Sequence, residues 1–107
     1  MSTNRIKQLL EFLESDPNDA FTLYALALEY TSHNTDEAKK YFDLLLANHT
    51  SYLPTYYHAA QLYSDLGGND RAKDIYNKGI QLANKQSDLK AEKELINALQ
   101  NLQFEED

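Results

Sequence analysis

An all-α fold is what this sequence predicts, a stack of antiparallel helix hairpins made from about six helices. Three observations predict it. Apolar residues recur at helical spacing along almost the whole chain, whereas strand-like alternation never lasts more than a few residues. Only three Gly and two Pro interrupt the 107 residues, too few breakers for a β fold with its many turns. The stretch TLYALALEY at 22–30 has a counterpart, TYYHAAQLY at 55–63, when the two are laid 33 residues apart.

The first helix is predicted over 3–14, where Ile6, Leu9, Leu10 and Leu13 share a face. SDPND then ends it, because Pro17 cannot continue a helix, and Asp16, Asn18 and Asp19 are all able to cap the next one. The second helix spans 19–32. SHNTDEA is a turn, with Asn34 or Thr35 as cap and Asp36 and Glu37 suited to the positive end of a helix dipole. The third helix covers 36–48. HTSYLP turns the chain again, with Ser51 as the expected cap and Pro54 tolerated in the first turn of a fourth helix at 52–66. GGND at 67–70 stops that helix and starts a fifth at 70–85. Ser87 or Asp88 caps a sixth at 88–103, whose apolar positions are Leu89, Leu95, Ile96, Leu99 and Leu102. The closing EED, 105–107, is expected to fray as a solubilising end.

The length suits one domain, 1–107, with a core that needs no staples. The absence of cysteine excludes a disulfide framework and a thiolate nucleophile or metal site. Lys7 and Glu11 interrupt the apolar run of MSTNRIKQLLEFLESDP, so no signal peptide is read there, and no stretch is long enough to span a membrane. A cytoplasmic location is the expectation. The formal charge of −7 opposes phosphate backbones, which argues against nucleic acid and favours neutral or basic partners.

Laid on itself, the chain repeats. Leu23 matches Tyr56, Ala27 matches Ala60 and Tyr30 matches Tyr63, each 33 apart. After the turn, Ala38 matches Ala72, Phe42 matches Tyr76 and Leu45 matches Gly79, each 34 apart. The extra residue falls in a turn, where it leaves packing registers intact. Alanine recurs where two helices of one hairpin come close, and an aromatic ring fills the space beyond each contact. These positions resemble the tetratricopeptide repeat: Leu23, Leu26-Ala27, Tyr30, Ala38 and Phe42 in one copy, and Tyr56, Ala59-Ala60, Tyr63, Ala72 and Tyr76 in the next. Neither copy has the family's Trp, and Thr50 and Asn84 stand where its closing Pro is expected. Pro17 does close the first helix, which reads as the second half of a degenerate repeat with Arg5 in place of the small Ala.

The resemblance implies a right-handed superhelical stack in a single domain: a half-repeat at 3–14, repeats at 20–52 and 53–86, and a capping helix at 87–103. Hairpins of this kind bury their apolar faces on one another, so the end helices should turn a polar face outward. Arg5, Lys7, Glu11 and Glu14 suit the first, and Lys90, Glu92, Lys93 and Glu94 the last.

The second helix carries a further stripe outside its packing one: Phe21, Tyr24, Leu28 and Thr31. In tetratricopeptide proteins this face lines a concave groove. The matching face of the next hairpin is Pro54, Tyr57, Gln61 and Ser64, with His58 and Asp65 beside it. Phe21, Tyr24, Leu28, Tyr57, His58 and Gln61 are therefore the candidate partner-binding residues, with Tyr24 and Tyr57 as neighbours on the groove floor. Tyrosine suits such a surface, since it offers large contact area at little rotamer cost. The competing reading is that these rings only pack on each other and on flanking helices. A clamp for chaperone C-terminal carboxylates, a well-known use of the family, does not fit. It needs Lys and Asn where Tyr24 and Leu28 stand, and His58 replaces another Asn.

No catalytic or metal chemistry is legible. His33 and His49 fall in turns and are expected to be solvated. No two His stand four apart, no Ser sits in a nucleophile elbow, and Gly67-Gly68 reads as a helix stop. No cofactor is expected. The sequence thus points to a non-catalytic interaction module that holds a peptide segment of another protein. The alternative is a second copy of the chain bound through the same groove or an end helix.

Overall fold

The computed structural model describes residues 2–106, with side chains from Asn4 onward. Met1 and Asp107, the limits of the range read as one domain, lie outside the described residues. Six helices and no strand are present among them: α1 Ser2–Ser15, α2 Ala20–Tyr30, α3 Thr35–Asn48, α4 Pro54–Asp65, α5 Asn69–Lys85 and α6 Leu89–Glu106. The chain divides into two compact units, one ending at Tyr52 and the other beginning at Leu53, which is where the first repeat gives way to the second.

In the first unit, α2 packs along α3 as one hairpin and α1 lies against α2. Asp19 caps α2 by accepting from the Thr22 backbone N–H at 3.0 Å and the Thr22 hydroxyl at 2.6 Å. Asn34 caps α3 through the Glu37 N–H at 3.2 Å. The core holds Leu9, Leu23, Leu26, Ala27, Ala38, Phe42 and Leu45. Beside it the Tyr30 and Tyr41 rings stack, 5.9 Å apart and almost parallel. Arg5, at the place of a small residue, reaches the Glu29 carboxylate at 2.8 Å.

In the second unit, α5 packs against both α4 and α6. Tyr56, Ala59, Ala60, Ala72, Ile75, Tyr76, Ala83, Leu95 and Leu102 form the core. Gly79 lets the three helices close up: a Cβ there would stand 2.7 Å from Tyr56 Cβ and 3.2 Å from Leu95 Cδ1. Gly67, at φ 87°, ends α4 with two backbone bonds, Gly67 N–H to Ser64 O at 3.0 Å and Gly68 N–H to Tyr63 O at 2.8 Å. Ser87, at φ 58°, ends α5 by the same pattern, and Asp88 then caps α6 through the Ala91 N–H at 3.0 Å.

Several expectations change. Ser51 does not cap α4: Leu53 holds the cap position with no side-chain bond, and the helix starts at Pro54. Pro54 already has the φ of a first helical turn and brings no N–H to satisfy, so the cap is dispensable. Glu105 and Glu106 belong to α6 instead of fraying, because Lys73 Nζ holds the Glu106 carboxylate at 2.9 Å. The outward faces of the end helices are not purely polar either. Phe12 is 65% exposed on α1, and Leu89 and Phe104 are 74% and 82% exposed on α6. Leu89 precedes the first buried turn of α6 and so adds nothing to its packing stripe.

Candidate functional site

The Asp19 cap sets where α2 begins, and with it which residues face outward. Leu23, Leu26 and Ala27 turn into the core, and Phe21 and Leu28 are left exposed on another side. Tyr24 lies between, half-buried, with its ring edge-on to Tyr52 at 5.6 Å. Burial raises the pKa of both phenols, with Tyr52 adding to the shift at Tyr24 and the Asp19 carboxylate adding to it at Tyr52, so both hydroxyls keep their protons at neutral pH. Asp19 itself is held below the ordinary carboxylate range, first by the Thr22 hydroxyl and then by the Thr22 N–H. His49, expected to be solvated, is instead half-buried at the end of α3, 3.1 Å from Asn18 Oδ1. His33 is exposed as expected.

On α4 the buried positions are Thr55, Tyr56, Ala59, Ala60 and Leu62. Tyr57, His58 and Gln61 fall on the opposite side and are exposed. The Tyr57 ring meets two others edge-on, His58 at 5.4 Å and Tyr76 at 6.4 Å. Tyr76 is pushed up to about 12 by burial, with Tyr57 and the Asp65 carboxylate adding to the shift. Desolvation by the surrounding protein holds His58 below the ordinary histidine value although its ring reaches solvent. The imidazole is therefore neutral at physiological pH.

The six residues read from the sequence fall three on α2 and three on α4, and the structure brings Tyr57 and His58 into direct contact. It adds Tyr52 and Tyr76 to these rings and, apart from them, forms the His49–Asn18 pair. The sequence places Tyr52 where the HTSYLP turn meets the expected fourth helix and Tyr76 among the packing residues, and nothing in it announces the His49–Asn18 pair. A tyrosine in the HTSYLP turn is the available signal for Tyr52, since a ring there needs something to lie against.

Among the described residues no three His, Asp or Glu side chains gather as a metal ion would require, and no helix is long and apolar enough to cross a membrane. No protein-family model matches the sequence, and no curated protein does. Solved structures do. A tetratricopeptide repeat domain protein from Salinibacter ruber, determined by crystallography, is 36% identical over 80% of this chain and 97% of its own, with a TM-score of 0.73. A solution NMR structure of a tetratricopeptide repeat domain protein from the same organism is 37% identical over 81% of this chain and 89% of its own, also with a TM-score of 0.73. The crystal structure of MamA covers 98% of this chain and 68% of its own at a TM-score of 0.69, but at 19% identity it is a likeness of fold alone. With Ala27, Ala38, Ala60 and Ala72 all fully buried in the repeat register, and over a third of residues shared with the Salinibacter structures along most of its length, the chain belongs to the tetratricopeptide repeat family.

Proposed function

We propose that this protein is a non-catalytic adaptor that holds a peptide segment of a partner on the aromatic faces of the first helix of each hairpin. Phe21, Tyr24 and Leu28 act on α2, and Tyr57, His58 and Gln61 on α4. Membership of the tetratricopeptide family supports a protein–protein interaction module in general terms. The observation that carries the finer reading is Phe21. It is 61% exposed on a helix whose packing stripe is already buried, and it leaves a large ring in water next to Leu28 and Tyr24. An uncovered apolar patch rimmed by polar groups is the usual mark of a binding surface. That the chain folds as one domain is part of the same reading, and coincident melting by helicity and by tyrosine fluorescence is its check.

The test compares Tyr24→Ala combined with Tyr57→Ala against Tyr30→Ala. The double variant should lose at least ~2 kcal/mol of affinity for the partner recovered by affinity capture, the threshold of a binding hot spot. Tyr30, stacked on Tyr41, serves the fold, and its removal should cost roughly 3 kcal/mol of stability. Because Tyr24 is half-buried against Tyr52, the double variant should also melt somewhat lower than wild type. A double variant that still captures the partner places binding elsewhere. A tight dimer by sedimentation that protects Tyr24 and Tyr57 makes the partner a second copy.

A further inference from the structure

The two helices that carry the exposed rings bring no cation of their own, and the two arginines that reach them are engaged, Arg5 with Glu29 of α2 and Arg71 with Asp74 and the Tyr63 ring of α4. Neither α2 nor α4 contains a Lys or Arg. From residue 8 to residue 70 the only basic side chains are Lys39 and Lys40, against ten acidic ones. Lys40 is engaged with the Tyr41 ring and with Glu37. The whole negative balance of the molecule therefore falls in the stretch that builds both faces. His58, the imidazole on the α4 face, adds no positive charge there at neutral pH, because its surroundings favour the uncharged ring.

Each unit, taken by itself, combines rings with a carboxylate. In the first, Asp19 lies close enough to Tyr52 to affect its ionisation, Tyr52 meets Tyr24, and Phe21 is exposed two residues on. Both Thr22 bonds go to Asp19 Oδ2, so Oδ1 takes no part in them. In the second, Asp65 lies close enough to Tyr76 to do the same, and Tyr76 meets Tyr57, which is itself exposed. A ring face attracts a cation through its quadrupole, and a carboxylate nearby supplies the counter-charge. A carboxylate-bearing segment would meet the like charge of Asp19 and Asp65 there.

Resting on the peptide-binding reading above, we infer that what each of these faces takes is a basic protein segment, its Arg or Lys side chains over Phe21 and meeting Asp19 on the α2 face, and over Tyr57 and meeting Asp65 on the α4 face. Arginine fits better than lysine, because its planar guanidinium stacks on a ring and pairs with a carboxylate at once.

The experiment uses the full chain, 15N-labelled, titrated with a short blocked peptide of alternating arginine and leucine. A twin with glutamate in place of arginine is titrated in parallel. The arginine peptide should shift amides of α2 and α4 and bind at least about tenfold more tightly than its acidic twin. Raising salt from about 0.05 M to about 0.5 M should weaken it about fivefold or more. Asp65→Asn, which removes a negative charge from the unfavourable end of α4 and so spares the fold, should weaken it about threefold. Equal or tighter binding of the acidic twin on α2 and α4 overturns the inference and leaves the peptide-binding reading standing. Shifts from the arginine peptide confined to other helices, or from neither peptide, overturn the inference too. An unchanged affinity in Asp65→Asn overturns the role given to Asp65. The peptide-binding reading fails separately, when the Tyr24/Tyr57 double variant keeps its captured partner.

Discussion

Thr22 and Thr55 hold matching places in the two hairpins and differ in one respect. The Thr22 hydroxyl donates to Asp19, whereas the Thr55 hydroxyl is fully buried with no hydrogen-bond partner among the described residues. In the repeat register the residue facing Thr55 as Asp19 faces Thr22 is Tyr52, which offers no carboxylate at that place. A buried hydroxyl without a partner costs about 1–3 kcal/mol, and valine has nearly the same shape without the cost. Thr55→Val should therefore raise stability, by about 1 kcal/mol once the buried area is matched, and Thr22→Val should lower it. Urea midpoints of the two variants check the pair of signs. If Thr55→Val destabilises, the hydroxyl has found an acceptor, a bound water being the simplest.

At the scale of elements, Gly79 decides how closely α5 can meet its neighbours. Alanine is the better helix former by about 1 kcal/mol, yet its Cβ would press on Tyr56 Cβ, an atom tied to the α4 backbone. Gly79→Ala should thus cost about 1–3 kcal/mol net, the usual range for overpacking, read as a lower denaturation midpoint. The end of α6 is held differently. Glu106 has its pKa lowered, chiefly by the hydrogen bond from Lys73, and Lys73 has its own raised, chiefly by Glu106. The carboxylate's share of the contact is present above the ordinary glutamate value and is lost as pH falls through the lowered one. The ammonium's share is present below the ordinary lysine value and is lost as pH rises through the raised one. Amides in the last turn of α6 should therefore exchange faster, relative to the middle of the helix, below about pH 4, and Glu106→Gln should remove that acid dependence. Helix order and most boundaries were legible because apolar spacing and caps such as Asp19, Asn34 and Asp88 act within a few residues. The Lys73–Glu106 contact joins residues 33 apart with no pattern to announce it, and the Tyr24–Tyr52 corner depends on how a turn folds back. Such long-range pairings leave little local trace. The absence of a capping side chain before Pro54 was hidden for the opposite reason, since Ser51 is a residue type that caps well but stands two positions before the cap, which falls to Leu53.

For the molecule as a whole, the second unit depends on α6. Leu95 and Leu102 are buried there, and Leu95 touches the Gly79 site. Deleting residues 87–107 strips α5 of one of its two packed sides, and a repeat stack without its closing helix exposes apolar surface. The truncated chain should aggregate or lose helicity, measured by circular dichroism with light scattering. A monomer of full remaining helicity would show that α4 and α5 suffice. The placement of basic residues has a further, practical outcome. Every lysine lies on α1, α3, α5 or α6. Amine-reactive dyes and chip couplings directed at lysine will therefore grip the molecule by those helices and leave α2 and α4 chemically untouched. Trypsin, which cuts only after lysine or arginine, finds no site between Tyr41 and Asp70, so all of α4 is released in one long fragment whose mass reports any adduct on Tyr57, His58 or Gln61.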